Sequence, residues 1–226
     1  MSKARSLGFS PERLQRIDRF LQDKYVGAGR LPHAQFLLAR GGQVVHQSVI
    51  GMQDPERATP LAEDSVYRIY SMTKPVTSVA LMTLVEEGLI ALDDPVARHI
   101  PEWKDLGVFS AGVGPYLTTP PERPMQVVDL LRHTSGLTYG FQNRTNVDAA
   151  YRKLKLEAMH GEHDLEGMIQ MMAKLPLEFS PGEAWNYSVS TDVLGYLVEE
   201  ISGLPFDVFL KRRIFDPLKM VDTGFY

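Results

Sequence analysis

The chain has 226 residues, with 24 basic and 28 acidic side chains and a formal net charge of −4. Its 44% hydrophobic content is that of an ordinary globular protein, which argues against disorder and collagen-like structure, and no basic balance directs it to nucleic acid. There is no cysteine, so disulfides, thiolate zinc sites and cysteine nucleophiles are excluded.

Residues 1–23 are charged and polar, without the apolar stretch of a signal peptide. No run approaches about 18 apolar residues, so neither a membrane span nor a membrane partner is expected and a cytoplasmic location is the default. Residues 10–23 predict a helix: Ser10 suits the N-cap, Pro11 suits the first turn, and Leu14, Ile17, Phe20 and Leu21 recur at helical spacing. Residues 27–32 break it. Ala34–Ala39 and Gln43–Ile50 then flank Arg40-Gly41-Gly42 and read as a β-hairpin. Residues 52–64 read as a polar loop and 66–70 as a short extended piece.

After residue 70 the pattern becomes helices separated by Pro/Gly loops. Thr77–Glu87 carries Val79, Ala80, Leu81, Met82, Leu84 and Val85, an apolar helix on most sides and hence a buried one. Asp94-Pro95 opens another short helix. Residues 106–124, rich in Gly and Pro, read as a long loop and as a candidate pocket wall. Further helices are expected over 125–132, 148–159, 164–174, 190–201 and 206–215. A hairpin alone is marginal in water. Because nothing after residue 70 supplies obvious strands, either the hairpin packs on helices or strands of its sheet are absent from this chain.

Serine chemistry needs a hydroxyl, a group to take its proton, and donors for the developing oxyanion. There is no Gly-x-Ser-x-Gly elbow around Ser71 or Ser135, which disfavours an α/β-hydrolase. Ser71-Met72-Thr73-Lys74 does fit Ser-x-x-Lys. On a helix, residues i and i+3 share a face, so the lysine reaches the hydroxyl. By itself the tetrapeptide is weak, since it equally describes a capping serine and a solvated lysine. Placement at the head of an apolar helix weighs against the solvated reading.

Four segments in order carry a resemblance. Tyr67 to Thr77 with Glu86 to Val96, Leu130 to Leu137, Phe179 to Ser188, and Asp216 to Phe225 together resemble the serine β-lactamase and penicillin-binding superfamily. The resemblance implies a β-lactamase/transpeptidase-like α/β (α+β) fold: an incomplete part of the α/β domain over residues 1–70, and a mainly helical domain over 71–226. It implies Ser71 as acylated nucleophile, Lys74 as its activator, and Tyr187 as general base or proton carrier. Which of Lys74 and Tyr187 takes the first proton stays open. No metal and no organic cofactor is implied.

Val189 stands where β-lactamases carry asparagine, a departure that resembles the family VIII carboxylesterases. The resemblance implies a full chain of roughly 400 residues, with a further motif on a later strand that supplies an oxyanion donor, worth roughly a hundred- to a thousandfold in rate. The C-terminal strands are therefore expected to be absent from this chain, and a second chain or second copy to complete the sheet. The expected function is hydrolysis of short-chain carboxylic esters, with a small-molecule ester as substrate. The alternatives are a β-lactamase or D,D-peptidase, and a non-catalytic binding module or inactive fragment.

Met72, Tyr116, Trp185 and Val189 are candidate pocket residues, and Met168, Met171 and Met172 form a soft stripe that is core or acyl pocket. Thr134-Ser135-Gly136 reads as a turn and not as a nucleophile beside His133. His160-Gly161-Glu162-His163 reads as a solvated loop and not a metal site, with Asp164 capping the next helix.

Overall fold

A computed structural model describes residues 3–157 and 163–225. The chain divides into two compact units, Met1–Arg68 and Ile69–Tyr226.

The first unit holds α1 (Lys3–Ser6), α2 (Pro11–Leu21) and an antiparallel sheet of β1 (His33–Arg40), β2 (Gln43–Asp54) and β3 (Thr59–Pro60) in the order β1-β2-β3. Ser10 caps α2 by accepting from the Arg13 N–H, and Pro11 occupies its first turn. A π-type turn, Gln22–Val26, ends the helix before Gly27. The hairpin turns on Gly41 and Gly42, whose φ of 56° and 70° are the left-handed pair a two-residue turn requires. Its register pairs Ala34 with Ile50 and Phe36 with Ser48, and slips at Leu38/Ala39. The expected polar loop after residue 52 is shortened, because β2 runs on to Asp54 and pairs with β3. His46 Nε2, 2.8 Å from Asp18 Oδ1, ties β2 to α2.

The second unit is mainly helical: α3 (Thr73–Glu86), α4 (Val127–Arg132), α5 (Asn146–Lys153), α6 (Leu165–Met172), α7 (Ser190–Ser202) and α8 (Phe206–Leu210). The expected helix over 148–159 ends at Lys153, and its last two positions, like His160, Gly161 and Glu162, lie outside the described residues. Asp164 caps α6 through the Gly167 N–H. One expectation is corrected in the 106–124 stretch. Val108–Ala111 and Leu117–Thr119 form a small antiparallel ladder, β4 and β5. Its strands are too short to announce themselves between the surrounding Gly and Pro residues.

The core sits between α3 and α7, where Ala80, Leu81 and Leu84 share a buried cluster with Val193, Leu194, Leu197 and Val198. Each fully buried Leu or Val contributes about 1.5–3 kcal/mol by area burial. The α3 helix is not buried all round. Val79 and Met82 are exposed, at 53% and 40%. Its apolar character therefore serves one packed face and leaves another uncovered within this chain.

Candidate active site

Ser71 lies in the 3-10 turn Tyr70–Met72 that leads into α3. Tyr70, immediately before it, has φ 42°, a left-handed conformation that a bulky side chain adopts only under strain. Lys74 follows one turn later, and Pro75 occupies the first turn of α3, where its missing N–H has no helical acceptor to lose. Lys74 Nζ comes within 3.3 Å of Ser71 Oγ.

Tyr187 arrives from a distant segment that is stitched down by a series of hydrogen bonds. The Asn186 N–H donates to the His133 carbonyl at 2.9 Å, and Asn186 Nδ2 donates to the Leu137 carbonyl at 2.9 Å. Arg144 donates to Asn186 Oδ1 at 2.7 Å, and Gln142 Nε2 donates to the Tyr187 carbonyl. The Val189 N–H donates to the Thr138 carbonyl. The 133–138 stretch is anchored in turn by Asp129. Its carboxylate receives Arg123 in a two-pronged pair at 2.7 Å each, together with the Thr134 hydroxyl and the Gln126 N–H that begins α4. Ser135 is buried and Gly136 takes φ 86°, so Thr134-Ser135-Gly136 is a turn.

The result places Tyr187 Oη 2.7 Å from Ser71 Oγ. Lys74 Nζ hangs over the faces of two rings, 4.7 Å from the centroid of Tyr187 and 5.5 Å from that of Tyr139. Burial alone would raise the Tyr187 phenol, but hydrogen bonds from Lys74 and Ser71, with the Lys74 charge, outweigh it and hold the group below its ordinary 10. Tyr139 is pushed the other way by burial and then by the charge of Asp192. Asp192, in the first turn of α7, opens onto the site but is densely surrounded by protein. That surrounding raises its carboxyl, against the opposing pull of Lys74 and a hydrogen bond with Tyr139.

Two cavities meet at Ser71. One of about 520 Å³ runs past Thr73, Lys74 and Thr77 to Leu165, Glu199 and Phe206. The other, about 490 Å³, is lined by Tyr139, Phe141, Leu156, Met168, Tyr187 and Val189. Tyr70 and Asp192 line both.

Ser71, Lys74, Tyr187 and Val189 are thus brought together. The other expected pocket residues lie outside the linings of these two cavities. Met72 ends the 3-10 turn before α3, is 63% exposed and lines neither cavity. Tyr116 packs edge-on against Phe109 and hydrogen-bonds the Asn146 carbonyl, outside both cavity linings. Trp185 stacks with Tyr187, is 67% exposed and lines neither cavity. The 106–124 stretch lines neither cavity. Of the methionine stripe, Met168 reaches the second cavity while Met172 is core. Sequence reasoning missed Tyr139 and Asp192. Their only signals were closeness to the Leu130–Leu137 segment and a position five residues past Tyr187.

Among the described residues no group of three or more His, Asp or Glu side chains could hold a metal ion, and no helix is long and apolar enough to cross a membrane.

Comparison with known proteins identifies the family. Residues 17–226 match the Beta-lactamase family. Esterase EstB of Burkholderia gladioli is 33% identical over 205 residues, covering 90% of this chain and 49% of EstB. A putative D-alanyl-D-alanine carboxypeptidase of Escherichia coli strain K12 is 28% identical over 236 residues, covering 99% of this chain and 50% of its own. Among solved structures, EstCE1, a hydrolase with promiscuous acyltransferase activity, superposes with a TM-score of 0.80 at 26% identity, over 95% of this chain and 54% of its own. The chain spans about half the length of the relatives it matches. Its mixed α/β architecture, its collinear motifs and its match over nearly all of its length place it in one group: the chain belongs to the Beta-lactamase family.

Proposed function

We propose that this chain carries the nucleophile half of a serine hydrolase that cleaves carboxylic esters through an acyl-enzyme on Ser71, in the manner of the family VIII carboxylesterases. The observation that carries the reading is the position of Ser71 Oγ, within hydrogen-bond reach of both Tyr187 Oη and Lys74 Nζ where two cavities meet. Ser71 Oγ attacks the ester carbonyl carbon and its proton passes to the phenolate of Tyr187, the nearer acceptor, a form that the Lys74 charge favours. The C–O bond to the alcohol breaks, and the alcohol leaves with that proton. Water then attacks the acyl carbon, gives its proton back through the same pair, and releases Ser71 and the acid.

The name of esterase EstB supports ester chemistry. The similarity to a putative D-alanyl-D-alanine carboxypeptidase favours a second reading, a penicillin-interacting enzyme. Val189 in the cavity wall weighs against it, because valine offers no hydrogen bond to an amide side chain. The reading includes a further polypeptide region, continuous with this chain or from a second chain or copy, that completes the sheet and supplies an oxyanion donor. The test compares p-nitrophenyl butyrate with the β-lactam nitrocefin. Faster ester turnover, lost in Ser71→Ala, supports the esterase reading. Faster nitrocefin turnover reverses the order, and covalent trapping without turnover of either supports a binding module.

A further inference from the structure

His133 closes α4 in the left-handed conformation, φ 56°. Its ring packs against Tyr187 with centroids 5.0 Å apart, and against Trp185 at 6.1 Å. Behind it runs a buried chain of hydroxyls. His133 Nδ1 lies 3.2 Å from Ser188 Oγ, Ser188 Oγ lies 2.7 Å from Ser190 Oγ, and Ser190 Oγ lies 2.7 Å from Ser135 Oγ. All three serines are fully buried.

Two of these hydroxyls also accept from the backbone, and the single hydrogen of Ser135 fixes the direction of the chain. The Leu137 N–H donates to Ser135 Oγ at 3.2 Å, and the Ser190 N–H donates to Ser188 Oγ at 3.4 Å. A hydroxyl has one hydrogen to give. Among the described residues, the acceptor for Ser135 is Ser190. Ser190 must then pass its hydrogen to Ser188, and Ser188 to His133. Nδ1 is therefore an acceptor, and the imidazole is neutral with its hydrogen on Nε2. The reverse order, with His133 donating, would strand the Ser135 hydrogen in a fully buried place with no acceptor.

We propose that His133 is a positioning residue for Tyr187: the serine chain holds its ring neutral and fixed in orientation, and that ring, with its backbone carbonyl on Asn186, keeps the phenol at Ser71. The proposal rests on the hydrolase reading for its consequence, but not for the tautomer. The charged and titratable groups around the ring agree with it. Lys74 faces it from α3 and Tyr187 from the segment before α7. On its own helix Arg132 is exposed, and Asp129 is taken by Arg123. Burial, and then the Lys74 charge, hold the imidazole below its ordinary value. A second positive charge there would repel Lys74 and force the hydroxyl chain to reverse.

The test has two arms. Nitrogen-15 spectra of the His133 ring, assigned with His133→Asn, should show an unprotonated Nδ1 and a protonated Nε2 that persist below pH 6.5. An Nδ1–H tautomer, or titration at or above the ordinary value, overturns the proposal. The second arm is the rate at which a fluorophosphonate labels Ser71. His133→Ala should slow it about a hundredfold, the scale of a misplacement near 1 Å. His133→Asn, which keeps an acceptor near Nδ1 and suits positive φ, should recover to within about tenfold of the unsubstituted chain. Equal labelling in all three overturns the positioning role. Labelling is measured with the completing region present; should the unsubstituted protein then fail to label, the hydrolase reading is at fault and the ring spectrum alone decides the proposal.

Discussion

Tyr187 Oη stands 2.7 Å from Ser71 Oγ although 116 positions separate the two residues in sequence. Lys74, already within reach of the serine, also lies over the tyrosine's ring, where its charge favours the phenolate. Each of the three is useful through the others. The lysine favours the phenolate, the phenolate takes the serine proton, and the serine is left able to attack.

The phenol gives a pH signature. Its value lies below 10, so the rate of Ser71 acylation should climb with pH and level off before 10 is reached, as the phenolate becomes the populated form. Tyr187→Phe should remove that climb and lower the rate on the order of a hundred- to ten-thousandfold. A pH profile of fluorophosphonate labelling checks both. A Tyr187→Phe protein with an unchanged profile would remove the tyrosine from the mechanism.

Lys74 can be tested apart from turnover. Its hydrogen bond and charge oppose the effect of burial on Tyr187. In Lys74→Ala, burial acts unopposed by the lysine, and the phenol should move upward. Ultraviolet difference titration of tyrosinate in the two proteins, with Tyr187→Phe to identify the signal, reads the shift. No movement would mean that Lys74 does not control the tyrosine.

Arg123 and Asp129 carry the scaffold beneath the site. Burial would raise Asp129, but the bonds from Arg123, the Gln126 N–H and Thr134 hold it below its ordinary 3.8. A depressed carboxylate contributes stability above its unfolded value and loses it as pH falls through the folded one. This pair should therefore stabilise the fold at neutral pH and weaken it only below about pH 4. Arg123→Ala, which leaves the Asp129 charge buried with fewer partners, should cost about 3 kcal/mol in urea unfolding at pH 7, and less at pH 3. An equal cost at both pH values would deny the ionic origin.

Gly136 is a sharper structural test. Its φ is 86°, and a Cβ there would sit 2.4 Å from the Phe179 carbonyl oxygen. Gly136→Ala combines a strained backbone with a clash against main chain, so it should destabilise by about 2 kcal/mol or more. Gly41→Ala in the open hairpin turn meets no atom within 4 Å and should cost about 1 kcal/mol from conformation alone. Thermal melts of the two variants should rank them in that order.

How much of this was legible in the sequence depends on distance along the chain. Ser71 and Lys74 are one helical turn apart, so spacing alone puts them on one face. Tyr187 has no local signal linking it to Ser71, and only the resemblance of the Phe179–Ser188 segment pointed to it. Asp192 and Tyr139 were not legible, because one looks like an ordinary helix-start carboxylate and the other like a loop aromatic. Their roles come from packing around Lys74. The hairpin was readable from Gly41-Gly42 and its flanking apolar runs. The ladder of β4 and β5 was hidden by Gly and Pro on either side. The α3 helix misled in the other direction: its apolar composition announced full burial, whereas Val79 and Met82 remain exposed.

The central claim is that Ser71 is an activated nucleophile. Intact mass before and after exposure to a fluorophosphonate, with Ser71→Ala beside it, tests this most directly. With the completing region present, the account predicts a single covalent adduct on the unsubstituted protein and none on Ser71→Ala. An adduct that survives in Ser71→Ala, or labelling no faster than that of a free serine, would contradict it.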